Sequence, residues 1–204
     1  MTEEEFESLA WDKMDGLLPS VVQDAATGQV LMLGYMNRTA LAATVSSGKV
    51  TFYSRSRQRL WQKGETSGNT LALVSVRPDC DRDALLVRAQ PAGPTCHLGT
   101  TSCFGKGEAE GAGFLAVLAR IVHDRAGALP EESYTARLLA EGPQRIAQKI
   151  GEEGVELALA AVARDAEGCA EEAADLLYHL TVLMEARGFG WDEVVAILQR
   201  RHRR

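Results

Sequence analysis

Residues 78–104, PDCDRDALLVRAQPAGPTCHLGTTSCF, place two kinds of metal donor side by side. Asp79, Asp81 and Asp83 alternate with other residues, and three of the chain's four cysteines, Cys80, Cys96 and Cys103, fall in the same span. Carboxylate oxygens suit magnesium, calcium or manganese, whereas thiolate suits zinc. A strand alternates side-chain faces, which predicts the three aspartates on one face and Cys80 on the other. Carboxylates gathered in this way repel one another unless a cation joins them. The same triplet also suits an acidic turn closed by Asx hydrogen bonds. Three thiolates without a fourth fit a catalytic zinc, which keeps a position for water, better than a closed structural site. Small buried cysteines that merely pack are the alternative. His97, beside Cys96, is a candidate fourth ligand, general base or packed histidine.

Upstream, SRSRQRLWQKGETSGN carries Arg55, Arg57, Arg59 and Lys63, followed by glycines and hydroxyls. Guanidinium forks and backbone N–H groups of such a loop suit phosphate, though an exposed basic hairpin has the same composition. Trp61 is placed to stack on a base or to pack in the core. Downstream, KIGEEGVELALAA sets Glu152, Glu153 and Glu156 within one helical turn, and CAEEAADLLYHL does the same with Glu171, Glu172 and Asp175. Like charges at that spacing cost an isolated helix a few tenths of a kcal/mol per pair. Two facing helices could instead share Mg2+ among their carboxylates. Acids in a first turn also suit the helix dipole, and an acidic solvent face needs no ligand at all. The apolar residues Leu157, Leu159, Leu176, Leu177 and Leu180 require these helices to pack, so the acids should line an edge or groove.

The elements that must hold these residues change character near the middle of the chain. SVVQD, QVLMLGYM, KVTFYS, NTLALVSV and ALLVRA are short, β-forming and bounded by turn residues. RTALAATVSSG reads as a short helix stopped by Gly48. GKGEAEGAG, residues 105–113, has the composition of a linker. From Phe114 on, FLAVLARIVHDRAG, SYTARLLAEG, PQRIAQKIGEEGVELALAAVA, CAEEAADLLYHLTVLMEARG and GWDEVVAILQRR have helical period. The expectation is a multidomain protein. A β-rich α+β domain covers residues 1–104, and an all-α helical bundle covers residues 114–204.

The 204 residues carry a net charge of −6, which argues against a nucleic-acid partner. Residues 1–104 hold 10 basic and 11 acidic side chains, and residues 105–204 hold 12 and 17, so the acidity lies in the helical half. The basic ending RRHRR suits a helix C-terminus. No apolar run approaches the roughly 18 residues of a membrane span. The acidic start MTEEEFESLAWDKMDG lacks the apolar stretch of a secretory signal, so a cytoplasmic location is expected.

LPSVVQDAATGQVLMLGYMN, SRSRQRLWQKGETSGN, DCDRDALL and GPTCHLGTTSCF together resemble phosphoribosyl-AMP cyclohydrolase of histidine biosynthesis, over roughly residues 10–104. The resemblance implies that Asp79, Asp81 and Asp83 bind Mg2+. It implies that Cys96 and Cys103 bind Zn2+ together with Cys80 of a partner chain, in a homodimer. It implies hydrolytic opening of the adenine ring of 1-(5-phosphoribosyl)-AMP between N1 and C6 by a zinc-activated water, with His97 as candidate proton carrier. ESYTARLLAEGPQRIAQKIGEEGVELALAA, with the later E-x-x-D, resembles phosphoribosyl-ATP pyrophosphohydrolase, one of the all-α NTP pyrophosphohydrolases. That similarity implies Mg2+ on Glu152, Glu153, Glu156, Glu172 and Asp175, with Arg145 and Lys149 as phosphate contacts. It also implies release of pyrophosphate from phosphoribosyl-ATP. Together the halves resemble the bifunctional histidine-biosynthesis family. The rival expectation is a general NTP pyrophosphohydrolase fused to a non-catalytic zinc module.

Overall fold

Alternation in LPSVVQD decides the first sheet. In β1 (Leu18–Asp24) every second side chain, Leu18, Ser20, Val22 and Asp24, is buried, as expected for a strand with one face on a core. The computed structural model describes residues 3–105, 107 and 109–202 and divides into two compact units, Met1–Phe114 and Leu115–Arg204.

In the first unit, α1 (Glu3–Glu7) and a 3-10 turn (Trp11–Met14) precede β1. Next come β2 (Val30–Met36), α2 (Arg38–Ser47), β3 (Thr51–Ser54), β4 (Arg59–Gln62), β5 (Leu71–Pro78) and β6 (Leu85–Pro91). Four strands form a sheet in the order β2-β1-β6-β5, and β3 pairs with β4 in a separate hairpin. Within the four-stranded sheet β1 and β6 run parallel and the other pairs antiparallel. The α2 helix starts where Asn37 accepts the Ala40 N–H at 2.8 Å and stops at Gly48, whose φ of +67° only glycine adopts freely. Phe52, Leu31, Met36, Leu41 and Leu71 are among the fully buried core residues. The Phe52 ring lies against the β2 backbone, and a Cβ at Gly34 would stand 2.4 Å from it. The segment read as a linker belongs to this unit: Ala109 is buried, and Gln29 Nε2 donates to the Gly107 carbonyl at 3.0 Å. Lys106 and Glu108 lie outside the described residues.

The second unit is helical, with α3 (Phe114–Ala126), α4 (Tyr134–Glu141), α5 (Pro143–Ala163), α6 (Ala166–Arg187) and α7 (Trp191–His202). Ser133 caps α4 by accepting the Ala136 N–H, Pro143 opens α5 where no N–H is needed, and Asp165 caps α6. The core gathers Val122, Leu138, Ile146 and Val182. α5 and α6 form its most extensive helix pairing. Leu157 and Leu176 are half-buried as packing requires, but Leu159 is 63% exposed. α6 begins ahead of Cys169, so Glu172 lies beyond its first turn and the dipole does not account for it. Of the basic ending, Arg203 and Arg204 lie outside the described residues.

Candidate functional site

The thiols are positioned by a tight loop pinned to β2. Ser102 Oγ donates to the Val30 carbonyl at 2.7 Å, and the Cys103 N–H donates to the Leu31 carbonyl at 2.8 Å. The loop closes on itself through Cys96 N–H to the Thr100 carbonyl and Gly99 N–H to the Cys96 carbonyl. Cys96 and Cys103 thereby face one cavity of about 560 Å³, lined also by Arg57, Trp61, Lys63 and His97. The Leu98 N–H and then the Thr100 hydroxyl hold Cys96 below the usual thiol range. Burial, and then the neighbouring Cys96, raise Cys103. His97 is exposed, with Nδ1 3.9 Å from Cys96 Sγ. All four cysteines are free thiols.

The basic hairpin divides its cations. Arg57 and Lys63 line the cavity, whereas Arg55 stacks 3.9 Å from the Tyr35 ring centroid and Arg59 pairs with Glu65 at 3.3 Å. Gly64 and Gly93 both let Asn69 approach closely, since a Cβ on either would come within 2.5 Å of it. The Lys63 ammonium donates to the Asn69 carbonyl at 3.3 Å. Trp61 packs on Phe52 at 5.1 Å between centroids while one part of it faces the cavity.

The aspartates are brought together by a loop, not by the strand that alternation suggested. β5 ends at Pro78, and Arg82 adopts φ +63°, which turns the chain. Asp79 Oδ1 accepts the Asp83 and Ala84 N–H groups at 3.1 and 3.2 Å. One carboxylate oxygen from each of Asp79, Asp81 and Asp83 lies within 4.8 Å of the others. The turn-forming hydrogen bonds and the convergence are thus both present. Lys13, which the motifs did not flag, bonds Asp81 and lies 2.7 Å from Asp83. The two carboxylates keep its ammonium protonated well above the ordinary lysine range, and it lowers Asp81 in return. A cation already sits at these oxygens, and the all-oxygen donor set suits Mg2+. Cys80 is exposed on this loop and does not line the thiol cavity. Among the described residues no group of three metal-ligating side chains includes a cysteine.

In the second unit α5 supplies Glu153 and Glu156, and α6 supplies Glu172. One oxygen from each lies within 4.8 Å of the others, and Glu153 and Glu172 are buried. Buried carboxylates are costly without partners. Lys149 reaches Glu153 at 2.9 Å and Glu152 at 2.8 Å, and Arg164 bonds Glu172 at 2.6 Å. Lys149 first, and then Gln148, lower Glu152. Two cations against three converging acids leave room for a divalent ion, again on oxygen donors. Glu152 and Asp175 stand outside the converging trio. Arg145 pairs with Glu141 at 3.4 Å and lies 4.0 Å from Glu152. His179 is buried behind Glu153, 3.7 Å from it, with Nδ1 2.9 Å from the Asp175 carbonyl and Nε2 3.2 Å from the Tyr134 hydroxyl. Its place one turn after Asp175 was a usable signal; nothing in the sequence pointed to Arg164.

The model described as phosphoribosyl-AMP cyclohydrolase matches residues 32–105, and that described as phosphoribosyl-ATP pyrophosphohydrolase matches residues 115–202. The histidine biosynthesis bifunctional protein HisIE of Escherichia coli is 55% identical over 202 residues, 99% of each chain. Its counterpart in Shewanella oneidensis is 53% identical over 203 residues, covering 100% of this chain and 95% of the relative.

The chain belongs to this bifunctional histidine-biosynthesis family.

As a member of the family it is a hydrolase with a cyclohydrolase domain followed by a pyrophosphohydrolase domain. The counterpart in Xanthomonas axonopodis pv. citri is 55% identical over 195 residues, 96% of this chain and 93% of the relative. A general pyrophosphohydrolase carrying an inert zinc module is not favoured, because both family models match. Among the described residues no helix is long and apolar enough to cross a membrane.

Proposed function

We propose that the second unit hydrolyses 1-(5-phosphoribosyl)-ATP to 1-(5-phosphoribosyl)-AMP and pyrophosphate, and that the first unit then opens the adenine ring between N1 and C6. The observation that carries the ring-opening site is the pairing of Cys96 and Cys103 in one cavity with Arg57, Lys63 and His97. Zinc held by Cys96 and Cys103, with Cys80 from a second chain, supplies Lewis acidity that makes a water nucleophilic near neutral pH. Arg57 and Lys63 bind substrate phosphate at the cavity wall, and Trp61 offers a flat apolar surface to the base. Exposed at the cavity rim, His97 carries the proton between attacking water and ring nitrogen.

In the second unit Glu153, Glu156 and Glu172, joined by Glu152 and Asp175, hold Mg2+, which offsets triphosphate charge. Lys149 and Arg145 lie beside these acids and contact phosphate oxygens. Asp79, Asp81 and Asp83 form a further Mg2+ site.

A homodimer is supported by three features. Cys80 is exposed away from the other two thiols. Leu33 and Leu86 flank Val21 in register on the open sheet face and are partly exposed. Val155, Leu159 and Val162 make an exposed apolar stripe on α5, with Val162 89% exposed. Such rows are covered in a stable assembly. The substrates are small nucleotides, and a cytoplasmic setting, where thiols stay reduced, suits the free cysteines.

Incubation with phosphoribosyl-ATP and Mg2+, following pyrophosphate and the ultraviolet spectrum together, tests the reading. Pyrophosphate release should precede the spectral change of ring opening. Pyrophosphate release from ordinary NTPs without any spectral change on the phosphoribosyl substrate would refute it.

A further inference from the structure

Lys13 belongs to none of the family motifs, yet it reaches the D-C-D-R-D loop from 68 residues away along the chain. Its ammonium joins Asp81 Oδ2 to Asp83 Oδ2. The same segment grips the loop's backbone, with the Ala10 N–H donating to the Arg82 carbonyl at 2.9 Å. It is anchored in turn: Leu9 and Trp11 are buried in the first core, and Arg38 lies 5.3 Å over the Trp11 ring while pairing with Glu7 at 2.8 Å. A tethered cation is therefore delivered to the aspartates. Asp79 is engaged differently, since its Oδ1 accepts two N–H groups of its own loop and holds the turn.

A divalent ion bound by all three carboxylates would share Asp81 and Asp83 with the ammonium, and two cations on the same pair of carboxylates repel. We infer that Lys13 is a built-in counter-cation of the aspartate trio, exchanged for the divalent ion when the loop binds metal, with the segment 10–16 loosened by the exchange. This rests on the reading of the trio as a Mg2+ site. With half of its side chain exposed, Lys13 can swing its ammonium into water without burying charge. In the metal-free chain it holds Asp81 and Asp83 together while Asp79 braces the turn.

Hydrogen exchange by mass spectrometry on the full chain across a Mg2+ titration reads both parts. Magnesium should protect residues 79–84 and speed exchange in residues 10–16. In Lys13→Met the midpoint of loop protection should fall about fivefold in Mg2+ concentration, while Lys13→Arg should stay near wild type. If Lys13→Met does not fold, exchange of residues 10–16 in the wild-type chain decides alone. Protection of the loop with no loosening of residues 10–16, or with a Lys13→Met midpoint at or above wild type, overturns the role of Lys13 alone. No protection of the loop at any Mg2+ concentration overturns the metal reading and the inference with it.

Discussion

Glu153 shows why placement matters more than composition. It stands in a run of acids, yet it is buried against Lys149 and His179 while Glu152, its neighbour, is half-exposed. A buried carboxylate in contact with two other acids is stable only with cations close by. Replacing it by Gln keeps the shape and removes the charge. Glu153→Gln should lower pyrophosphate release about 10- to 100-fold and leave ring opening on supplied phosphoribosyl-AMP unchanged, as a coupled pyrophosphate assay and the ultraviolet spectrum would show. Equal loss of both activities would contradict the assignment. The clusters themselves were legible in the sequence, because Cys96 and Cys103, and Glu153, Glu156 and Glu172, do come together in the fold. Their partners were not. Lys13, Arg164 and His179 reach their acids through the folded chain, and only His179 lies at a helical spacing from a motif residue.

Elements followed local chemistry where that chemistry was strong. Gly48, Ser133, Pro143 and Gly188 stop or start helices at the places their backbone preferences demand. The alternating β1 was equally plain. One strand was hidden: β4, Arg59–Gln62, lies inside a basic stretch without alternation, and its pairing with β3 is what makes that stretch a hairpin. The aspartate motif looked like a strand because spacing of two is the strand period, whereas Pro78 and the left-handed Arg82 end the ladder there. Packing fixes two tests at this scale. Gly34→Ala should destabilise the first unit by about 1–3 kcal/mol, because the added methyl meets the Phe52 ring. Ser133→Ala should cost the second unit about 1 kcal/mol through loss of the α4 cap. Denaturant unfolding of each variant checks both, and an unchanged midpoint in either would show the contact to be dispensable.

At the scale of the whole molecule, the thiol pair with the aspartate trio and the glutamate trio of α5 and α6 occupy two separately built units. Cys80 is exposed and does not line the cavity that Cys96 and Cys103 share, and on the proposed reading a second chain supplies it. Cys80→Ser and Cys96→Ser chains should each fail to open the ring. Mixed in equal amounts with free subunit exchange, they should regain about one quarter of wild-type sites, since each mixed dimer rebuilds one of two. No recovery after proven exchange would place all three thiols in one chain. The donor chemistry makes the most direct test one of selective metal removal. The full chain, treated with a zinc chelator that competes with thiolates and then supplied with Mg2+ and phosphoribosyl-ATP, should release pyrophosphate at its normal rate and show no ring-opening absorbance change until zinc is restored. Simultaneous loss of both activities, or ring opening that survives complete zinc removal, would contradict the account.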